Sequence, residues 1–191
     1  MADTSCGAVN EWDTVVDLVR RELRDFVAAA SPATVQTLPT RCSPWTVRDL
    51  TAHMAITFRR FADMLVQSRT GDLSPPFRAD EITAINVRQV ESFAGDPIRD
   101  LQTQAGRFLS LASDPEEMMA HQRGPIPVRL QMHFALSELA LHRHDVEEAK
   151  GSDYRPPEPV ILALLPVWEK LRPGAPPSGD PWQHVLGASG R

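Results

Sequence analysis

The sequence predicts an all-α protein, an up-and-down four-helix bundle followed by a short C-terminal helix and an extended tail. Apolar residues recur every three or four positions through four long segments of the 191-residue chain, which is the period of a helix with one buried face. No segment alternates apolar and polar residues over the length of a strand. Short connections between consecutive helices favour antiparallel neighbours, and therefore a bundle.

The first two elements follow from apolar spacing and from one capping signal. Residues 9–30 are predicted to form the first helix, and a linker of Ser, Pro and Thr follows over residues 31–44. The second helix is predicted over residues 46–68, because Thr46 and Asp49 have the spacing of a capping box with Asp in place of Glu. Its buried stripe is predicted to contain Leu50, Met54, Phe58, Phe61 and Leu65.

Two further segments complete the predicted bundle. A loop over residues 71–77 precedes a third helical region at residues 79–112. Proline lacks a backbone N–H and an aspartate can cap a new helix, so the Asp96-Pro97 pair is predicted to interrupt this region. The fourth helix is predicted over residues 128–149.

The composition of the chain changes after the fourth helix. Residues 158–171 are predicted to form a short helix, because their apolar residues share one face. The stretch rich in Pro and Gly that follows is interpreted as an extended tail, pinned to the bundle by Trp182. We therefore predict a metal-binding bundle domain at residues 1–150 and a C-terminal extension at residues 151–191.

Composition excludes several classes of protein. A net charge of −5 without a basic run argues against nucleic-acid binding. No apolar stretch approaches the roughly 20 residues that span a bilayer, and residues 1–10 lack the features of a signal peptide. Two cysteines, Cys6 and Cys42, cannot build a disulfide framework. We therefore expect a cytoplasmic protein without nucleic-acid or membrane partners.

Residue types in the second and fourth helices indicate metal chemistry. Glu138 and His142 are one helical turn apart, so they share a face and can bind one ion together. A catalytic zinc site usually takes three protein ligands, and His53 is the leading candidate for the third. A carboxylate next to Leu139 and Ala140 on an apolar face also needs a cation or donors. The alternatives are a surface ion pair between Glu138 and His142 and a hydrogen-bonded core position for His53.

Two aspartates lie near these candidates. Asp145 follows His142 by three residues and is predicted to accept a hydrogen bond from its free ring nitrogen, as a partner outside the ligand set. Helix capping and solvent exposure are the alternatives for Asp145. Asp49, four residues before His53, is assigned to the cap with Thr46 rather than to a second metal.

The remaining histidines and cysteines are given structural roles. His133 and His144 lie off the face of the candidate ligands, so exposed or interface positions are expected. Cys42 is interpreted as a small packed residue and Cys6 as incidental. Trp45 is expected to pack the start of the second helix against the bundle.

Two motifs resemble those of a known family. The segment CSPWTVRDLTAH at residues 42–53 is similar to the tryptophan-to-histidine signature of the DinB-like superfamily. Glu138, His142 and Asp145 fit the second half of that signature. More narrowly, the chain resembles the mycothiol-dependent maleylpyruvate isomerase group over about residues 9–150.

This resemblance implies a four-helix bundle that holds a divalent metal, zinc in preference to nickel, through His53, Glu138 and His142. It also implies a small thiol as cosubstrate. Eighteen arginines against two lysines indicate a GC-rich genome, as in the actinobacteria that use mycothiol, so mycothiol is the expected thiol. The implied activity is S-transfer to a small electrophilic substrate, or its isomerisation. A homodimer is compatible with the sequence.

Several alternatives remain open at this point. The same site can support metal-assisted hydrolysis, and a noncatalytic accessory protein or an all-α regulator are rivals from other classes. The larger isomerases carry a second domain that the residues after 151 are too few to form, which weakens maleylpyruvate as the substrate. No motif selects a catalytic arginine from the four considered, which are Arg78, Arg88, Arg99 and Arg107.

Overall fold

A computed structural model of the chain describes residues 11–172 and 179–191. Cys6 lies outside these residues. Within them the protein is helical, apart from one hairpin of two-residue strands, so the predicted all-α class is confirmed. The helices are α1 (Glu11–Ala30), α2 (Ala33–Gln36), α3 (Val47–Ser68), α4 (Ile82–Glu91), α5 (Pro97–Leu111), α6 (Val128–Ala149), α7 (Glu158–Leu171) and α8 (Pro181–Ser189), with a 3-10 turn at Ala79–Glu81 and strands β1 (Met118–Met119) and β2 (Ile126–Pro127).

The core lies between the four longest segments that precede residue 150. The most extensive packing is that of α3 on α5 and of α1 on α6, and α3 also contacts α6. Aromatic side chains at the centre of this core are fully buried, among them Phe26, Phe58 and Phe108. Because α3 contacts α6, side chains on their facing surfaces can meet.

Capping residues fix where α3 and α5 begin. The Thr46 backbone N–H donates to Asp49 Oδ2 at 3.0 Å, and Asp49 N–H donates to Thr46 Oγ1 at 3.3 Å, which confirms the predicted capping box. Asp96 accepts from the backbone of the first turn of α5, with Pro97 at its first position. The predicted break in the third helical region is therefore confirmed.

The C-terminal extension differs from its prediction. Residues 158–171 are helical as predicted, but the expected extended tail is wrong for residues 181–189, which form α8. The Asp180 side chain caps this helix and Pro181 occupies its first turn, so residues that indicate a loop by composition here begin a helix. Trp182 is 2% exposed, as expected of an anchor. Residues 173–178 of the predicted tail lie outside the described ranges.

The extension is held against α1 and α6 by a buried polar cluster. The Tyr154 hydroxyl donates to Glu22 Oε2 at 2.9 Å, and the Arg143 guanidinium lies 4.4 Å from the centre of the Tyr154 ring. Arg143 also donates to Glu22 and to Asp25. Burial raises the pKa of Glu22 despite the neighbouring Arg143.

No helix among the described residues combines the length and the apolarity needed to cross a bilayer.

Candidate metal centre

Helices α3 and α6 bring the three predicted ligands together. His53 lies nearly two turns into α3, while Glu138 and His142 lie on successive turns of α6. Glu138 Oε2 is 3.3 Å from His142 Nε2 and 3.9 Å from His53 Nε2. One donor atom from each residue falls within 4.8 Å of the other two. The i, i+4 spacing on α6 and the contact between α3 and α6 together produce this convergence.

The donor set fits a divalent transition metal. Ligand atoms about 2.1 Å from a tetrahedral ion lie about 3.4 Å apart. Glu138 Oε2 lies near this spacing from His142 Nε2, at 3.3 Å, and somewhat farther from His53 Nε2, at 3.9 Å. Two imidazoles and one carboxylate form the same combination that binds zinc in several enzymes. His142 Nδ1 is already bonded to Asp145, so its Nε2 is the atom left for an ion. The same residues suit nickel as well, because imidazole binds both metals.

The histidines differ in charge because their surroundings differ. Burial, reinforced by the neighbouring His142, lowers the pKa of His53 to about 3. Burial also disfavours the charged form of His142. Hydrogen bonds to Asp145, Cys42 and Glu138 outweigh this effect, so the pKa of His142 lies well above its usual value. Burial would raise the pKa of Glu138, yet the two histidines lower it to about 2. Without an ion, the site therefore holds one neutral and one protonated histidine.

Metal binding is therefore expected to release about one proton near neutral pH. His53 is neutral above pH 3 and loses none, whereas His142 carries a proton that an ion at Nε2 must displace. Below the pKa of His142 the affinity should rise about tenfold per pH unit, and above it the dependence should vanish. Titration calorimetry in two buffers of different ionisation enthalpy measures this proton directly. Heats that are identical in both buffers would contradict the assigned charge of His142.

Asp145, which lies three residues after His142, accepts a hydrogen bond from it, as the spacing predicts. It is fully buried, and its Oδ2 accepts from His142 Nδ1 at 2.8 Å. Cys42 Sγ donates to the same oxygen at 3.4 Å, and Arg191 donates to both carboxylate oxygens. Burial would raise the pKa of Asp145, but His142 and Arg191 lower it. Solvent exposure and helix capping, the alternatives for Asp145, do not describe this position.

Cys42 also belongs to this cluster. The sequence predicted that it packs as a small residue, but not that it bonds to Asp145. Cys42, His142 and Asp145 form a second group of donor atoms close enough to share an ion. Arg191, however, already occupies both oxygens of Asp145, and Asp145 already accepts from His142 Nδ1. A second ion there would have to displace a guanidinium, so we assign this group to hydrogen bonding.

A pocket opens beside the three candidate ligands. Its volume is about 250 Å³, and His53, Glu138 and His142 all line it. The Glu138 side chain keeps 37% of its surface accessible, so it faces the pocket rather than the apolar core that its neighbours in sequence suggest. Trp168 from α7 forms part of the wall and donates to Ser137 Oγ at 3.0 Å. These three residues would therefore hold an ion at the wall of the pocket.

Two arginines that the sequence did not single out line this pocket, Arg60 and Arg191. Arg60 Nη2 donates to Asn86 Oδ1 and Gln89 Oε1 at 2.9 Å each. Its guanidinium lies 4.9 Å from the centre of the Phe77 ring. In the described part of the chain no carboxylate lies within ion-pair distance of Arg60. Arg60 also lines a cleft of about 630 Å³ next to the pocket.

The arginines considered from sequence lie elsewhere. Arg78, Arg88, Arg99 and Arg107 do not line the pocket, and Arg78 and Arg107 are paired with Asp80 and Asp63. Arg60 had a detectable signal, because it lies seven residues after His53 and therefore on the same face of α3. Arg191 had none, because its contact with Asp145 spans 46 residues.

The other predicted neighbours take the positions expected of structural residues. His133 Nδ1 lies 2.9 Å from the Arg129 carbonyl oxygen, and His144 packs edge-on against Trp182. The Trp45 ring lies 5.0 Å from the ring of His53, at the start of α3. Neither His133 nor His144 belongs to the group of converging donor atoms.

Fold and site together define a class, an all-α protein with two histidines and a carboxylate converging beside a pocket. The sequence pattern of the mycothiol maleylpyruvate isomerase N-terminal domain family matches residues 16–147. The chain therefore belongs to this family of DinB-like domains, as its motifs predicted. The matched region contains all three candidate ligands and Asp145. Comparisons with curated proteins and with solved structures gave no match.

Proposed function

We propose that this protein is a metal-dependent enzyme that uses a small thiol, mycothiol, either to form a thioether with a small electrophile (S-transfer) or to isomerise that electrophile. His53, Glu138 and His142 bind the metal, with zinc preferred over nickel. The observation that carries this proposal is the donor set of two Nε2 atoms and one carboxylate on the wall of an open pocket. Family membership supports mycothiol as the thiol.

The chemistry needs a thiolate and an oriented electrophile. A divalent metal bound to the three residues would supply positive charge that favours thiolate over thiol near neutral pH. The thiol gives its proton to solvent, and its sulfur forms a bond to the electrophilic carbon. In isomerisation of an activated alkene, rotation about the new single bond and elimination of the thiolate follow. In transfer, the C–S bond is kept, and either a leaving group departs or a proton completes the adduct.

The surrounding residues orient the reactants. Asp145 accepts from His142 Nδ1 and so keeps Nε2 directed at the ligand site. Arg60, which has no carboxylate partner among the described residues, binds an anionic group of the electrophile. Phe61, Leu141 and Trp168 supply apolar parts of the pocket wall, against which the electrophile can pack.

The fold and the location of the protein are part of the same proposal. We infer that α1, α3, α5 and α6 form the up-and-down four-helix bundle of DinB-like proteins, which the packing of α3 on α5 and of α1 on α6 supports. Thiol chemistry requires a reducing compartment, so we place the protein in the cytoplasm.

A thiol-dependence assay tests the proposed reaction. The metal-loaded protein is incubated with a panel of small electrophiles, with and without mycothiol, and products are followed by mass spectrometry. We expect thioether adducts or isomerised products only when the thiol is present. Hydrolysis products formed without thiol would replace this function by metal-dependent hydrolysis, and no turnover of any kind would favour a noncatalytic protein.

A further inference from the structure

Arg191 reaches the candidate metal centre from the C-terminal extension. Its Nε lies 3.0 Å from Asp145 Oδ1 and its Nη2 lies 2.9 Å from Asp145 Oδ2, so the guanidinium binds the carboxylate through two parallel contacts. The Asp145 side chain is completely buried and that of Arg191 is 15% exposed. Nη2 also lies 3.2 Å from His142 Nδ1. A paired geometry of this kind fixes the plane of a carboxylate, which a single contact does not.

The position of Arg191 depends on α8. Trp182, Val185 and Leu186 bury one face of this helix, and its main packing partner is α7. Gly190 has φ +83°, a left-handed conformation that ends the helix. The Arg191 N–H then donates to the Leu186 carbonyl at 2.9 Å. Anchored in this way, the backbone of Arg191 is held against the helix while its side chain extends to Asp145.

Asp145 needs the contact from Arg191. Its Oδ2 receives three donors, from His142, Cys42 and Arg191, whereas Oδ1 is bonded to Arg191 alone among the described residues. Removing the guanidinium leaves a buried oxygen without a donor, a costly arrangement that a carboxylate relieves by rotating or by taking up a proton. Either change weakens the acceptor that His142 Nδ1 requires.

We propose that Arg191 is a positioning residue for the metal centre, because it holds Asp145 in the orientation that directs His142 Nε2 toward Glu138 and His53. The C-terminal extension is therefore a component of the site and not an appendage to the bundle. The metal part of this inference rests on the proposed function, whereas the clamp on His142 exists without an ion.

The test compares Arg191→Gln and Arg191→Lys with the control Arg172→Gln, which removes the same charge from an exposed position at the end of α7. Circular dichroism and thermal unfolding establish that each variant is folded. In the metal-free protein, the Nδ1–H proton of His142 is followed by NMR. We expect its resonance to shift and its exchange with water to accelerate in Arg191→Gln, with Arg172→Gln unchanged.

In the metal-loaded protein, the affinity for Zn²⁺ and the visible spectrum of bound Co²⁺ are measured. We expect Arg191→Gln to lose about 10- to 100-fold in affinity and to alter the cobalt spectrum, and Arg191→Lys to recover part of both, since lysine keeps the charge but not the paired contact. An unchanged His142 proton and unchanged affinity would overturn the proposal. So would an effect confined to the KM for the electrophile, which would make Arg191 a substrate-binding residue. If wild type binds no metal, the proposed function fails, and the NMR comparison still decides the role of Arg191.

Discussion

His53→Ala and His142→Ala are each expected to lose bound metal, with an affinity for Zn²⁺ reduced by at least about 100-fold. Each substitution removes one of three converging donor atoms, and two donors are fewer than the three protein ligands that a catalytic zinc site usually takes. Elemental analysis of the purified variants and competition with a chromophoric chelator measure the loss. Activity in the thiol-dependence assay should fall in parallel.

The chain offers two matched controls for this experiment. His133 and His144 are also on α6, but they contact the Arg129 carbonyl and Trp182 instead of the centre. His133→Ala and His144→Ala should therefore retain one equivalent of metal. Stoichiometric metal in His53→Ala and in His142→Ala would refute the ligand assignment, whatever the controls show.

Arg60→Gln is expected to lower kcat/KM for a carboxylate-bearing electrophile by about 10- to 100-fold. Arg60 is a partly buried cation whose described partners are neutral amide oxygens and an aromatic ring. Burial lowers the pKa of Arg60 although the charge of Glu138 opposes this shift, and an anionic ligand would offset the cost of burial. A charge-assisted hydrogen bond contributes about 1.5 to 3 kcal/mol, which corresponds to this change in rate.

Arg59 provides the control in the adjacent position. It is exposed, lines the neighbouring cleft but not the pocket of the candidate ligands, and lies 3.8 Å from the Asp100 carboxylate. Arg59→Gln should leave kcat/KM within about twofold of wild type, because its charge already has a partner. The amide analogue of the electrophile should react equally with wild type and with Arg60→Gln. An equal loss for the acid and its amide would contradict a role in anion binding.

Local patterns predicted much of the fold. The bounds of α6 and α7 are those read from apolar spacing, and the Thr46–Asp49 cap begins α3 as its sequence indicates. Helix α8 was missed because it is short and its region is rich in Pro and Gly, a composition typical of loops. The Asp180-Pro181 pair was the available signal, an N-cap followed by proline in the first turn.

Some contacts of the candidate site are local to one helix, and others join two helices. Glu138 and His142 share a face because the helix repeats every 3.6 residues, and Asp145 reaches His142 through the same local geometry. These relations depend on a single helix, so they can be read from a single stretch of sequence. The pairing of His53 with Glu138 depends instead on two helices, so spacing alone made His53 a candidate, which the family motif then supported.

By itself, the sequence determined the all-α class, the family and the identity of three candidate ligands and their aspartate partner. Only the tertiary structure decided which arginines face the pocket, that the pKa of His142 is raised, and that Arg191 binds Asp145. The reason is physical. Helices and caps are set by neighbours within a few residues, whereas burial, charge and long-range hydrogen bonds depend on how those helices pack.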